Sequence, residues 1–147
     1  SDLIADGSVT FTGRVPDIAH LVAHSSVCVV PLRTGGGTRL KILEAMAAGT
    51  PVVTTTKGAE GLAVVHGENI LIADSPEPFA REVLRVMDDF VLRARLAANG
   101  RRLVEPLYTW DRIGSELDKV NTEARAVHRE HAMVRRGLPH QRWSATA

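Results

Sequence analysis

The sequence predicts an α/β fold with a mainly parallel sheet and helices on both faces. Two observations predict it. Short apolar runs alternate along the chain with longer stretches of helical periodicity, the order that builds parallel sheets. One of those runs, Val27-Cys28-Val29-Val30-Pro31-Leu32, is apolar without alternation, the pattern of a strand covered on both sides. The 147 residues suffice for one domain with its own core. A balance of 44% hydrophobic and 24% charged residues excludes a wholly disordered chain.

The elements follow in order. Val9-Thr10-Phe11-Thr12, β-branched and aromatic and closed by Gly13, predicts a first strand and turn. Asp17 predicts the N-cap of a helix running to about Ser25, with Ile18, Leu21 and Val22 on one face. The apolar run 27–32 is the next strand. Arg33-Thr34-Gly35-Gly36-Gly37 can only be loop, and Thr38 predicts the N-cap of a helix from about Arg39 to Ala48. Gly49 stops that helix and Pro51 lies just past it. Val52 to Thr56 predicts a strand, and Asn69 to Ala73 a short one. Amphipathic helices are expected over 76–88 and 90–103, and a last helix from Trp110 to about Val127.

Composition shifts near Asn121. Beyond it Arg125, Arg129, Arg135, Arg136 and Arg142 face only Glu123 and Glu130, with His128, His131 and His140 among them. Residues 1–120 are therefore read as the domain and 121–147 as a basic, partly disordered helix and tail. The net charge is only +1, and 15 of the 18 basic residues are Arg, scattered and not gathered into a patch, so nucleic acid is not an expected partner. A single cysteine, Cys28, excludes an internal disulfide framework and a multi-cysteine zinc site. No apolar run approaches the ~18 residues of a membrane-spanning helix, and no basic-then-apolar leader opens the chain. The absent initiator Met suggests a processed or truncated chain, and the cytoplasm is the expected compartment.

The most informative segment runs from Gly35 to Pro51. A buried strand feeds three glycines, and these feed a helix N-terminus. Glycines let backbone approach a ligand closely, and the first helical N–H groups have no partner within the helix while its dipole favours an anion there. A flexible loop before a core helix is the competing reading. A Walker A loop is excluded because Gly37 is followed by Thr38 and Arg39, not Lys and Ser or Thr. The dinucleotide fingerprint is excluded because Leu40 stands where a third small residue is needed. The helix looks apolar almost all round, which predicts burial of Glu44 and a need for donors, either ligand hydroxyls or a buried Arg. Elsewhere, His20 and His24 sit at metal-binding spacing but lack a third ligand. His66 has no assigned role. His128 and His131 read as a solvated helix end, Cys28 as inert packing, and Asp88-Asp89 as a helix junction.

The run Glu44-Ala45-Met46-Ala47-Ala48-Gly49-Thr50-Pro51-Val52-Val53 resembles the signature of the GT-B-fold retaining glycosyltransferases of family 4, glycosyl transferases group 1. The resemblance extends outward through Val9-Thr10-Phe11-Thr12-Gly13-Arg14-Val15, Gly58-Ala59-Glu60-Gly61-Leu62, Gly67-Glu68-Asn69-Ile70-Leu71 and Tyr108-Thr109-Trp110, covering residues 8 to about 118. It implies a Rossmann-like three-layer domain, the C-terminal, donor-binding half of a GT-B enzyme. It places Val15 and Asp17 at the nucleobase through main-chain contacts, and Glu44 on the ribose hydroxyls. Thr38, Arg39 and Leu40 would turn backbone N–H groups toward the diphosphate or sugar, with Gly35, Gly36 and Gly37 lining the sugar pocket.

Two departures stand out. Gly36 occupies the place of the first motif glutamate, so no catalytic residue is assigned. Related sugar transferases with Gly-Gly-Gly-Thr-Arg-Leu-Lys in this place exist, so inactivity does not follow. Arg39 and Lys41 offer positive charge near the phosphates, with solvent exposure as the alternative. The family's first strand and helix, with the Arg and Lys that neutralise the diphosphate, and its N-terminal acceptor domain would precede Ser1. The implied partner is a nucleotide-diphosphate sugar, with an acceptor of the polysaccharide or glycoconjugate type. No cofactor and no metal are expected, and peripheral membrane association of the parent enzyme is compatible with this. The alternatives are an inactive fragment or pseudoenzyme serving only as a nucleotide-binding or interaction module, and an epimerase- or reductase-like Rossmann protein, which the failed fingerprint disfavours.

Overall fold

The computed structural model describes residues 7–135, which form two compact units dividing after Glu105. The first unit holds α1 (Ile18–Ala23), β1 (Cys28–Val30), α2 (Leu40–Ala47), β2 (Val52–Thr54), α3 (Thr56–Ala59), β3 (Leu71–Ile72), α4 (Pro76–Asp88) and most of α5 (Phe90–Leu107). The strands form a parallel sheet in the order β1-β2-β3, with Cys28 opposite Val52 and Val53 opposite Leu71. This is the expected Rossmann-like α/β arrangement, a parallel sheet flanked by helices.

All three residues of the central strand β2 are buried. Val53 packs with Leu71, Val86, Leu92 and Leu96, and Val27, Phe79 and Val83 close the cluster. Each fully buried aliphatic of this kind contributes about 1.5–3 kcal/mol. Helix α2 packs on β1 and β2 through Ile42, Leu43, Ala45 and Met46. Its end is a Schellman turn: the Thr50 N–H donates to Ala45 C=O at 2.8 Å and the Gly49 N–H to Met46 C=O at 3.0 Å. Gly49 takes φ +77°, which explains why glycine stops the helix there.

Several expectations are corrected. Residues 9–12 form no strand; Phe11 is 70% exposed, and β propensity without a docked neighbouring strand yields no ladder. Val29 of β1 is 48% exposed, so this edge strand is not covered on both sides. Helix α1 buries no residue and ends at Ala23, where His24 caps it. Helix α2 is not apolar all round in its setting: Leu40, Lys41 and Glu44 face out. Its N-cap is Arg39, not Thr38, because the Arg39 side chain is drawn beneath the preceding loop and the helix begins one residue later. The one-turn helix α3 was not expected. Helix α4 begins and ends where the sequence puts it, and α5 continues past residue 103 to Leu107.

In the second unit α6 (Trp110–Arg135) runs past the expected end at Val127. Glu116 joins Arg112 at 3.0 Å and Lys119 at 3.1 Å, and the Lys119 hydrogen bond, foremost, holds its carboxyl below the usual range. The expected disorder of the final tail, with Arg136, His140 and Arg142, falls outside the described residues.

Candidate functional site

The loops that leave the carboxyl ends of β1 and β2 are stitched together by hydroxyls. The Thr54 Oγ1 donates to Val30 C=O at 2.9 Å. The Thr55 Oγ1 donates to Leu32 C=O and accepts from the Gly58 N–H at 3.0 Å. Gly58 has no room for a side chain, since an added Cβ would sit 2.0 Å from Thr54 Oγ1. The start of α3 is held from β3 as well: the Thr56 N–H and hydroxyl each donate to Asp74 at 2.7 Å. Those bonds, the hydroxyl's first, keep the Asp74 carboxyl below the ordinary aspartate range.

Arg39 is the centre of the arrangement. It is 5% exposed. Its Nη1 donates to the carbonyls of Gly36 at 2.8 Å and Gly37 at 3.0 Å, and its Nη2 to those of Gly35 and Lys57, both at 3.2 Å. Its Nε is buried without a partner. The nearest carboxylate, Glu60, lies 3.6 Å from Nη2, is 59% exposed, and is shared with Lys57 at 2.6 Å. The Lys57 hydrogen bond is the main reason that the Glu60 carboxyl titrates below its ordinary value. The guanidinium therefore carries a positive charge under the triglycine turn with weak compensation.

The turn itself needs two of its glycines. Gly35 has φ +127° and Gly37 φ +83°, the left-handed half of backbone space, whereas Gly36 has an ordinary φ and open space around an added Cβ. Among the described residues no backbone carbonyl accepts from the N–H groups of Gly35, Gly36, Gly37 or Thr38. These groups lead directly into the start of α2, where no backbone carbonyl accepts from the Leu40 and Lys41 N–H groups, while the Ile42 N–H donates to the Arg39 carbonyl at 2.9 Å.

The structure joins Gly35, Gly36, Gly37 and Arg39 in one hydrogen-bonded unit, with Thr38 and Leu40 exposed beside it. Glu44 lies one turn beyond Leu40 on the same outer face and is exposed, not buried. The inner face belongs to Ile42, Leu43, Ala45 and Met46, which explains the difference. No ion pair among the described residues involves Glu44. Val15 is half-buried, and Asp17 is an N-cap whose Oδ1 accepts from the His20 N–H at 3.1 Å. Lys41 is exposed.

Sequence reasoning missed a second concavity on this edge, a cleft of about 310 Å³ lined by Pro31, Arg33, Thr55, Asp74, Ser75 and Phe79. Each strand contributes to it just past its last residue, a convergence that only the strand order reveals. His66 gains a structural role: its Nδ1 accepts from the Ile72 N–H at 2.9 Å. The rings of His20 and His24 meet at a 39° tilt with centroids 4.2 Å apart, and the His24 Nδ1–H donates to the His20 carbonyl at 2.8 Å. Burial raises the Cys28 thiol pKa, with Lys41 opposing. Among the described residues no three His, Cys, Asp or Glu side chains are grouped to hold a metal, and no helix is long and apolar enough to cross a membrane.

This edge can be compared with known proteins. Residues 2–89 match the family model for glycosyl transferases group 1. The chain is 30% identical over 122 residues to a GDP-mannose-dependent monoacylated alpha-(1-6)-phosphatidylinositol monomannoside mannosyltransferase of Corynebacterium glutamicum, covering 77% of this chain and 32% of that protein. It is 32% identical over 120 residues to a GDP-mannose-dependent alpha-(1-6)-phosphatidylinositol monomannoside mannosyltransferase of Mycobacterium tuberculosis, covering 74% and 31%. The solved sucrose-phosphate synthase of Thermosynechococcus elongatus superposes with a TM-score of 0.65 at 28% identity, over 73% of this chain and 27% of that one. The chain thus spans about a third of the length of these relatives. The matched segment holds the sheet, the triglycine turn and α2 together, and on this evidence the chain belongs to the glycosyl transferases group 1 family.

Proposed function

We propose that the chain is the donor-binding part of a retaining, family 4-type GT-B glycosyltransferase. It binds a nucleotide-diphosphate sugar whose glycosyl group passes to an acceptor of the cell-surface polysaccharide or glycoconjugate type. One observation carries the reading: a turn with unpartnered amides opens directly onto the N-terminus of α2 at the carboxyl edge of a parallel sheet, in a chain of this family. The GDP-mannose dependence of two relatives supports a nucleotide-diphosphate donor.

In this reading the amides of the turn and of the first turn of α2 receive the diphosphate, whose negative charge grows as the glycosyl bond breaks. Fixed dipoles in that place need no reorganisation as the charge develops. Glu44, exposed and unpaired one turn along, accepts hydrogen bonds from the ribose hydroxyls. Val15 and the Asp17 main chain flank the base. Gly36 leaves the sugar without the first motif carboxylate. The intact enzyme works in the cytoplasm on an acceptor held by an N-terminal domain, and the 147-residue chain alone transfers no sugar.

Titration of the chain with UDP, GDP and their 2′,3′-dideoxy counterparts tests this. Glu44→Gln should weaken the ribose forms about tenfold, as for a lost charge-assisted hydrogen bond, and leave the dideoxy forms unchanged. Equal affinity of Glu44→Gln and wild type for the ribose forms removes the assignment. Turnover by the isolated chain overturns the claim of its inactivity.

A further inference from the structure

We propose that Arg39 is a positioning residue for the donor diphosphate: from beneath the triglycine turn, its guanidinium gathers the loop carbonyls and thereby turns the loop amides outward to the phosphates. This rests on the donor-binding reading above, but it assigns Arg39 a role opposite to direct contact. All four terminal N–H bonds of the guanidinium have carbonyl acceptors, at 2.8, 3.0, 3.2 and 3.2 Å. Arg39 cannot grasp a ligand without releasing the turn.

The geometry of the peptide bond does the rest. In a trans peptide the C=O and the following N–H point in opposite directions, and the chain contains no cis bond among the described residues. The carbonyls of Gly35, Gly36 and Gly37 face the guanidinium, so the N–H groups of Gly36, Gly37 and Thr38 face away from it. No backbone carbonyl accepts from those three. The result is three donors on the side of the turn away from the guanidinium, followed by the N–H groups of Leu40 and Lys41 at the start of α2, with a cation behind them. The buried, unpartnered Nε and an exposed Glu60 shared with Lys57 leave that cation only partly compensated until an anion arrives. Lysine cannot substitute: its ammonium has three donors and no planar fork to span successive carbonyls together with Lys57 C=O.

The test is an NMR titration of the ¹⁵N-labelled chain and its Arg39→Lys variant with GDP and UDP, and with guanosine and uridine as phosphate-free probes. In the wild type, diphosphates should shift the amides of Gly36, Gly37 and Thr38 and nucleosides should not. Arg39→Lys should lose about tenfold in diphosphate affinity and nothing in nucleoside affinity. Loss of both alike, or of neither, overturns the positioning role while leaving the donor-binding reading intact. Wild-type chain that binds no diphosphate overturns that reading and this inference with it. If the variant fails to fold, the wild-type shifts decide alone: diphosphate shifts centred away from residues 36–38 refute the proposal.

Discussion

Replacing Arg39 with Met keeps the apolar stem beneath the triglycine turn and deletes the guanidinium. Four hydrogen bonds go with it, to the carbonyls of Gly35, Gly36, Gly37 and Lys57, each worth about 1 kcal/mol net. Two effects reduce the loss. The three glycines are exposed, so their carbonyls can rehydrate, and removing a weakly compensated buried cation recovers desolvation energy. The balance is about 2–3 kcal/mol of destabilisation, which at roughly 4 °C per kcal/mol for a chain of this size lowers the melting temperature by about 10 °C. Thermal unfolding followed by circular dichroism measures it. Glu60→Gln is the internal comparison. Glu60 is exposed and 3.6 Å away, and surface pairs contribute little, so that variant should melt almost with the wild type. A Met variant that melts with the wild type, or a Glu60→Gln that falls as far, would refute the view that the carbonyl cage and not the ion pair holds the turn.

Other expectations follow from the same edge of the sheet. Gly58→Ala places a Cβ 2.0 Å from Thr54 Oγ1, so it should cost about 1–3 kcal/mol by overpacking, against none for an alanine at the open position of Gly114, which chemical denaturation would compare. Gly35→Ala and Gly37→Ala force φ values of +127° and +83° on a residue with a Cβ and should each cost about 1–2 kcal/mol, while Gly36→Ala is neutral; equal effects at all three would discard the φ assignment. The Asp74 carboxyl is depressed by Thr56, so its contribution is complete above the ordinary aspartate pKa and is lost as pH falls through the lower folded value. The melting-temperature gap between wild type and Asp74→Asn should therefore be present at neutral pH and close on acidification, and a gap that widens instead sinks the latch. The outer edge of β1 pairs with no strand among the described residues, so the chain should self-associate with rising concentration; a concentration-independent monomer in sedimentation counts against that.

The alternation of strands and helices, the Asp17 cap, the Gly49 stop and the Pro76 start were all legible because each depends on chemistry within a few residues. The failures share a different cause. Val9 to Thr12 has strand propensity, but a ladder needs a neighbouring edge in the right place, and propensity carries no information about that. Glu44 reads as buried because seven apolar residues lie within four positions of it, yet the helix turns Ile42, Leu43, Ala45 and Met46 inward and leaves Glu44 outside. The side chain of Arg39 could not be placed at all: its partners are backbone carbonyls, which every residue has. The same blindness hid the bond from Thr55 to Leu32 and the Asp74 latch on Thr56, which join residues 23 and 18 positions apart.

Gly36 stands at the one point of the turn where the backbone is indifferent to the side chain: its φ is ordinary and nothing lies within 4 Å of an added Cβ. Two of the three glycines are obligatory and the middle one is elective. A glutamate there, a single-base change from two of the four glycine codons, would place an acid where the family signature has one, with its Cβ meeting no neighbour. Nothing in the architecture resists that exchange in either direction. A Gly36→Glu chain therefore separates what a carboxylate at this position does to ligand binding from what it does to stability.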